Sequence, residues 1–99
     1  MNILLVCSAG MSTSLLVKCM LEAAEKKGVE CHIEAHPVGN VKDYGDKADV
    51  ILIGPQVRFQ LKNVQKLYPN KPVEIINMQD YGMMNGEKVL AHAMKLYNK

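Results

Sequence analysis

One thiol, four hydroxyls and a glycine fall within eight residues near the start of the chain, in the stretch Cys7-Ser8-Ala9-Gly10-Met11-Ser12-Thr13-Ser14. Placed between an apolar run and a helical pattern, this composition suits a backbone cradle for an anion. The amides at a helix start carry the equivalent of roughly half a positive charge and can surround a phosphoryl group without a cationic side chain. The same field favours a thiolate, since cysteines at helix N-termini titrate below the free value of ~8.5, which makes Cys7 a candidate nucleophile. Ser8, Ser12, Thr13 and Ser14 add hydroxyl donors, and Gly10 admits backbone conformations that a side chain would block. Singly, these residues would only end a strand and cap a helix; together they point to chemistry.

The elements that must position this stretch follow from hydrophobic periodicity. Residues 2–7, with Ile3-Leu4-Leu5-Val6 unbroken, read as a strand covered on both faces. From about Thr13 to Lys27, Leu15, Leu16, Cys19, Met20, Ala23 and Ala24 recur at helical spacing against Lys18, Glu22, Glu25 and Lys26. Ser12 or Thr13 is the expected cap and Gly28 the expected left-handed stop. Val29–Val38 reads as an edge strand, with Cys31, Ile33 and Ala35 alternating against His32, Glu34 and His36. That histidine-glutamate-histidine face could bind a metal, but no fourth ligand is evident, and a solvated edge is the simpler reading. Val41–Lys47 is short and charged, with room for one or two helical turns.

Val50–Ile53 gives a third strand, stopped by Gly54-Pro55, and a helix is expected over about Val57–Tyr68 with Leu61, Val64 and Leu67 inward. Val73–Asn77 reads as a fourth strand, Met78–Met84 as a loop, and Asn85–Tyr97 as a helix capped by Asn85, with Val89, Leu90, Ala93 and Met94 inward. Strands alternating with helices predict an open parallel α/β sheet with helices on both faces and right-handed crossovers. The expected organisation is a single domain over residues 1–99. In such sheets the site lies beyond the carboxyl ends of the strands, here Cys7, residues 37–40, 54–56 and 77–82.

Composition narrows the chemistry further. With 99 residues and 48% hydrophobic content there is room for one core and one site. A formal charge of +2 with 22% charged residues offers no concentrated basic stripe, so a nucleic-acid partner is not expected. The start lacks a positively charged signal region and no apolar run approaches the ~18 residues of a membrane span, which predicts a soluble, cytoplasmic chain. Cys7, Cys19 and Cys31 form no C-x-x-C pair, so neither a disulfide framework nor a zinc knuckle is indicated; Cys19 and Cys31 read as small buried hydrophobes.

Thr13 separates the chemistries a cysteine loop could perform. Low-molecular-weight tyrosine phosphatases use C-x5-R-S, in which the arginine grips the phosphoryl oxygens in pairs and stabilises the transition state. Here the corresponding positions are Thr13 and Ser14. Such a loop can hold a phosphoryl on sulfur but lacks the strongest device for hydrolysing it. Three readings remain at this point: a phosphoryl carrier, a cysteine phosphatase or arsenate-reductase-like protein, and a non-catalytic anion-binding module.

The loop Cys7–Ser14 with Leu15-Leu16-Val17, then Ala48-Asp49-Val50, Gly54-Pro55-Gln56 and Pro69-Asn70-Lys71-Pro72-Val73-Glu74, resembles enzyme IIB of bacterial sugar phosphotransferase systems, in the lactose, cellobiose and diacetylchitobiose branch. That resemblance implies a four-stranded parallel sheet of order 2-1-3-4, similar to low-molecular-weight tyrosine phosphatases, and a phosphocysteine carrier without cofactor or metal. It implies that Cys7 accepts phosphoryl from a phosphohistidine of enzyme IIA and passes it to a β-glucoside-type disaccharide held by the membrane component, enzyme IIC, with which the chain would associate peripherally. Gln56 would donate to the phosphoryl site or cap the helix after Pro55. Asp80, followed by Tyr81, reads as a support for the loop rather than a catalytic acid, because displacing imidazole needs no strong acid. Met11, with Met83 or Met84, is expected at the partner interface. None of His32, His36 or His92 is a candidate phosphoacceptor.

Overall fold

A strand read as apolar throughout must be sandwiched, and the first strand is. The computed structural model describes residues 1–8 and 11–98, and of residues 11–13 the backbone. Strand β1 (Asn2–Cys7) is paired on both edges, with β2 (His32–Pro37) on one side and β3 (Val50–Ile53) on the other. Strand β4 (Val73–Ile75) pairs with β3, so the order is β2-β1-β3-β4 and every pairing is parallel. Both the sheet order and the covering of both faces agree with the expectation from sequence.

The period of two along each strand sends alternate side chains into two separate cores. Ile3, Leu5, Ile33, Val50 and Leu52 join Leu16, Met20, Ala23 and Ala24 of helix α1 (Met11–Lys27) and residues of the last helix. Leu4, Val6, Ile51, Ile53 and Val73 form the other core with Val41, Val57 and Val64. Each fully buried Val, Leu or Ile is worth about 1.5–3 kcal/mol against leaving it in water, before the cost of ordering the chain. β1 and β3 each contribute to both cores at once, which is why the two strands leading to the site are buried along Ile3–Cys7 and Val50–Ile53.

Helix α1 ends where expected. Gly28 takes φ +68°, its N–H donates to Glu25 O (3.1 Å), and the Val29 N–H turns back to Ala24 O (2.9 Å). This closing motif satisfies the last carbonyls of the helix and uses Val29, so β2 begins at His32 instead of Val29. At its other end α1 begins at Met11, which puts Ser12 and Thr13 inside the first turn instead of at the cap. The stripe facing the core is Leu16, Met20, Ala23 and Ala24, whereas Leu15 is exposed, because the i, i+4, i+7, i+8 spacing starts one residue later.

Between β2 and β3 the chain makes three short helical pieces: a 3-10 turn Val38–Asn40, helix α2 (Val41–Tyr44) and a second 3-10 turn Gly45–Lys47. The Tyr68 hydroxyl donates to Val41 O (3.4 Å), and Lys71 Nζ donates to Gly45 O (2.7 Å) and Asp46 O (2.6 Å), tying this segment to residues 68–71. Burial, then the negative charges of Asp46 and Asp43, push the Tyr68 phenol above its usual value.

Beyond β3 the expected helix over 57–68 is in fact two pieces, a 3-10 segment Pro55–Gln60 and helix α3 (Leu61–Leu67). Val57 leaves helical geometry (φ −118°, ψ 28°) as its side chain turns into the core. Val64 is buried as expected, but Leu67 is exposed; the chain leaves the helix at Tyr68, whose ring packs against the core instead. The segment read as a loop after β4 contains helix α4 (Met78–Gly82), nucleated by Asn77, whose Oδ1 accepts from the N–H groups of Gln79 (2.9 Å) and Asp80 (3.1 Å). Helix α5 (Gly86–Tyr97) is capped by Asn85, whose Oδ1 accepts from Lys88 N–H (3.1 Å), and buries Val89, Leu90 and Ala93 as expected. No helix among the described residues is long and apolar enough to cross a membrane.

Helices α1 and α5 pack side by side, and Gly86 sets how close they come. A Cβ there would fall on the main chain of Cys19 and Met20. Backbone cannot yield as a flexible side chain would, so Gly86→Ala is expected to cost about 1–3 kcal/mol. A melting temperature lowered by several degrees is the expected reading; a melt indistinguishable from that of the parent protein would show that the helices can separate freely.

Candidate functional site

The sheet order creates one place where neighbouring strands send the chain in opposite directions. From β1 the chain crosses by α1 to β2, and from β3 it crosses by α3 to β4 on the opposite side. A crevice at the carboxyl ends of β1 and β3 is the usual binding place in such sheets. Cys7 is the last residue of β1 and Gly54 the first after β3. The two ends are tied by the Gly54 N–H donating to Val6 O at 2.7 Å.

Cys7 is 2% exposed, and its Sγ donates to the main-chain oxygen of His36 at 3.6 Å. In register it faces Pro37 at the end of β2. The helix that follows has no Asp or Glu in its first turn, while Lys26 and Lys27 occupy its last. The positive end of α1 is therefore uncompensated by any carboxylate of its own, and its negative end is matched by cations, so a bound anion would meet the full helix-terminus field.

Of the expected loop, Ser8 and Ser14 are both exposed, and Ser14 lines a small recess of about 230 Å³ with Val17, Glu34 and His36. Ala9 and Gly10 lie outside the described residues, as do the side chains of Met11, Ser12 and Thr13, so the hydroxyl donors expected from Ser12 and Thr13 and the interface contact expected from Met11 lie outside them too.

Gln56 is exposed and its Oε1 lies over Gly54, 3.1 Å from where a side chain on that glycine would begin. No side chain caps the 3-10 segment that starts at Pro55. Asp80 is fixed through its main chain: its N–H donates to Asn77 Oδ1 and its carbonyl accepts from Asn85 N–H at 2.9 Å. Tyr81 is buried in the core shared by α1 and α5. Met83 is 71% exposed at the sheet edge, whereas Met84 is partly buried against that core with φ +52°. Of the two methionines expected beside Met11, Met83 is thus the more exposed, and the turn from α4 into α5 rotates Met84 partly inward.

Two residues that the sequence reading did not single out join this edge. Phe59 (72% exposed) and Met78 (61%) line a groove of about 700 Å³ with Pro55, Gln56, Arg58, Tyr81 and Gly82. Phe59 is the chain's one phenylalanine and Arg58 its sole arginine. The helical period expected over 57–68 hid them, because the 3-10 geometry after Pro55 turns Val57 inward and leaves 58 and 59 outside.

The histidines take no place around the sulfur by their side chains. His32 Nε2 and His36 Nε2 lie 3.3 and 3.7 Å from the two oxygens of Glu34, so one carboxylate bridges both imidazoles. His92 Nε2 lies 3.9 Å from Glu74. Among the described residues no group of three His, Cys, Asp or Glu could hold a metal ion.

The family model described as PTS system, Lactose/Cellobiose specific IIB subunit, matches residues 2–92. The chain is 45% identical to the PTS system galactose-specific EIIB component of Lactococcus lactis subsp. cremoris, over 97% of this chain and 95% of that protein. It is 46% identical to the PTS system oligo-beta-mannoside-specific EIIB component of Bacillus subtilis, over 96% of this chain and 94% of that one. Among solved structures, the cellobiose-specific phosphotransferase IIB component from Borrelia burgdorferi superposes with a TM-score of 0.83 at 46% identity, covering 99% of this chain and 92% of the other. A YwlE mutant from Bacillus subtilis shares the fold with a TM-score of 0.65 at 14% identity, covering 100% of this chain and 99% of that chain.

Proposed function

This chain belongs to the lactose/cellobiose-specific IIB subunits of the phosphotransferase system, and from that premise we propose that Cys7 is the residue on which it carries the phosphoryl group. IIB components are phosphotransferase components that work with IIA and IIC partners. The observation that carries the assignment is the position of the thiol: it ends an inner strand at the switch point, four residues before the start of a helix whose first turn holds no carboxylate. The first transfer is an in-line attack. The S–P bond forms as the P–N bond to the IIA histidine breaks, and the thiol proton passes to the departing imidazole nitrogen. In the second transfer a sugar hydroxyl on IIC attacks phosphorus, the O–P bond forms, the S–P bond breaks, and the hydroxyl proton returns to sulfur.

The chain's own contribution is to hold the phosphoryl oxygens in one orientation through both steps, with the amides of Ser8 to Ser14 and the helix field supplying the stabilisation. The hydroxyls of Ser8, Ser12, Thr13 and Ser14 add donors, and the Gln56 amide, already folded over Gly54, is in place to add another. Asp80 and Tyr81 support the crevice from α4. Partners dock on the edge that carries the exposed Met83, Phe59 and Met78, with Met84 bracing it from the core, and Met11 is the loop residue expected to meet them. Residues 1–99 act as one phosphocarrier domain, cytoplasmic and associated peripherally with IIC. Relatives named for galactose, cellobiose and oligo-beta-mannoside are nearly equally similar, which supports a sugar that is held by IIC and not selected by this chain.

Labelled phosphoenolpyruvate, the general phosphotransfer proteins and IIA are expected to place phosphate on Cys7 alone. Cys7→Ser should abolish uptake with an unchanged melting temperature, and label persisting in that variant overturns the assignment. Steady hydrolysis of an aryl phosphate by the chain alone would instead favour the phosphatase reading. Thr13→Arg, which restores the phosphatase pattern C-x5-R-S, is expected to shorten the lifetime of the phosphocysteine at least tenfold, as followed by loss of label without acceptor. An unchanged lifetime would show that the missing cation does not protect the carried group.

A further inference from the structure

We infer that His36 is a positioning residue for Cys7, acting through its main-chain carbonyl and held by the flat stacking of its ring on Tyr44. The inference rests on the reading of Cys7 as the phosphoryl acceptor. Among the described residues, the sulfur has a polar partner in the His36 carbonyl oxygen, 3.6 Å away. That carbonyl sits at the end of an edge strand, paired with β1 on one side alone. The next residue, Pro37, has no N–H to give to the ladder, so main-chain pairing holds this end weakly.

The His36 side chain supplies what the ladder lacks. Its ring lies 3.5 Å from that of Tyr44, with 3° between the planes. Tyr44 ends the four-residue helix α2, which is itself tied down by buried Val41 and by the Tyr68 hydroxyl on Val41 O. A continuous series of contacts thus runs from Tyr68 through α2 and the two rings to the carbonyl that receives the thiol hydrogen.

The imidazole cannot act on sulfur as an acid or a base. Side chains alternate along a strand, and His36 is in register with Val6, whose side chain enters the core opposite that of Ile3 and Leu5. The ring of His36 and the sulfur of Cys7 therefore lie on opposite faces of the sheet. Nor does the ring depend on its polar edge: Nε2 is buried without a hydrogen bond, with Glu34 Oε1 at 3.7 Å. The ring offers a flat surface to Tyr44, and that is what positioning requires.

In the resting state the S–H points at the His36 oxygen, which fixes the direction of the sulfur lone pairs toward the crevice. Because the thiol hydrogen leaves for the IIA imidazole as the S–P bond forms, this contact exists before the transfer and not after it. Losing it should loosen the attacking atom without altering how IIA docks, and a misplacement of the order of 1 Å costs as much as ~100-fold in rate.

The test is rapid-quench phosphoryl uptake from labelled IIA by the full-length chain and by His36→Ala, His36→Phe and Tyr44→Ala. His36→Ala and Tyr44→Ala are expected to lower kcat about tenfold with KM for IIA within twofold, and His36→Phe, which keeps the stack, to restore it. Alkylation of Cys7 by iodoacetamide, which needs no partner, should be severalfold faster in both alanine variants and unchanged in His36→Phe. A phenylalanine variant as slow as the alanine one, a rise in KM at constant kcat, or alkylation rates alike in all four proteins would overturn the inference. Absence of label on Cys7 in the parent protein would sink the carrier reading, and the alkylation series would still decide the positioning.

Discussion

A strand covered on both faces can place a reactive side chain only at its end, and β1 is covered on both. Ile3 and Leu5 are committed to one core, Leu4 and Val6 to the other, and none of the four can be made polar without leaving a buried group unsatisfied. The thiol at position 7 is the first atom group along this strand with access to the sheet edge. Everything else at that edge is arranged relative to it: the start of α1 above, the Gly54 turn on one side, and the end of β2 on the other.

The apolar content of β1 and β3, the stripe on α1, the glycine stop at 28 and the asparagine cap at 85 were all legible in sequence, because each is a local pattern with a local cause. What was not legible depended on register and on short-range irregularity. That His36 would present its carbonyl to Cys7 follows from the pairing of Val6 with His36, which no periodicity reports. The groove residues Phe59 and Met78 escape a reading that expects a regular helix over about 57–68 and a loop over 78–84, where the chain forms a 3-10 segment and helix α4. Asn77, read as the end of a strand, is the residue whose side chain makes the second of these a helix. Of the cradle itself, the residue types were evident from the start, and the structure adds the switch point that gives them a common edge.

The charge economy of the site fits carrying better than hydrolysis. An arginine gripping the phosphoryl would add charge-assisted bonds of about 1.5–3 kcal/mol each, strongest as charge builds in the transition state for water attack. The one arginine of the chain is instead at position 58, in the exposed groove after β3. Within the proposed loop the stabilising charge would come from a helix terminus and from amides, which are fixed in direction and modest in strength.

That modesty has a thermodynamic purpose. A carrier stands between a donor and an acceptor, and any free energy by which it binds the phosphoryl more tightly than its neighbours do is subtracted from the drive for the second step. Each 1.4 kcal/mol of excess holding would slow or disfavour onward transfer about tenfold. The proposed cradle of backbone amides beside the buried thiol would supply orientation, which lowers both barriers alike, with little net deepening of the intermediate. The absence of a cation from position 13 acts in the same direction, because it withholds stabilisation from the phosphorylated state.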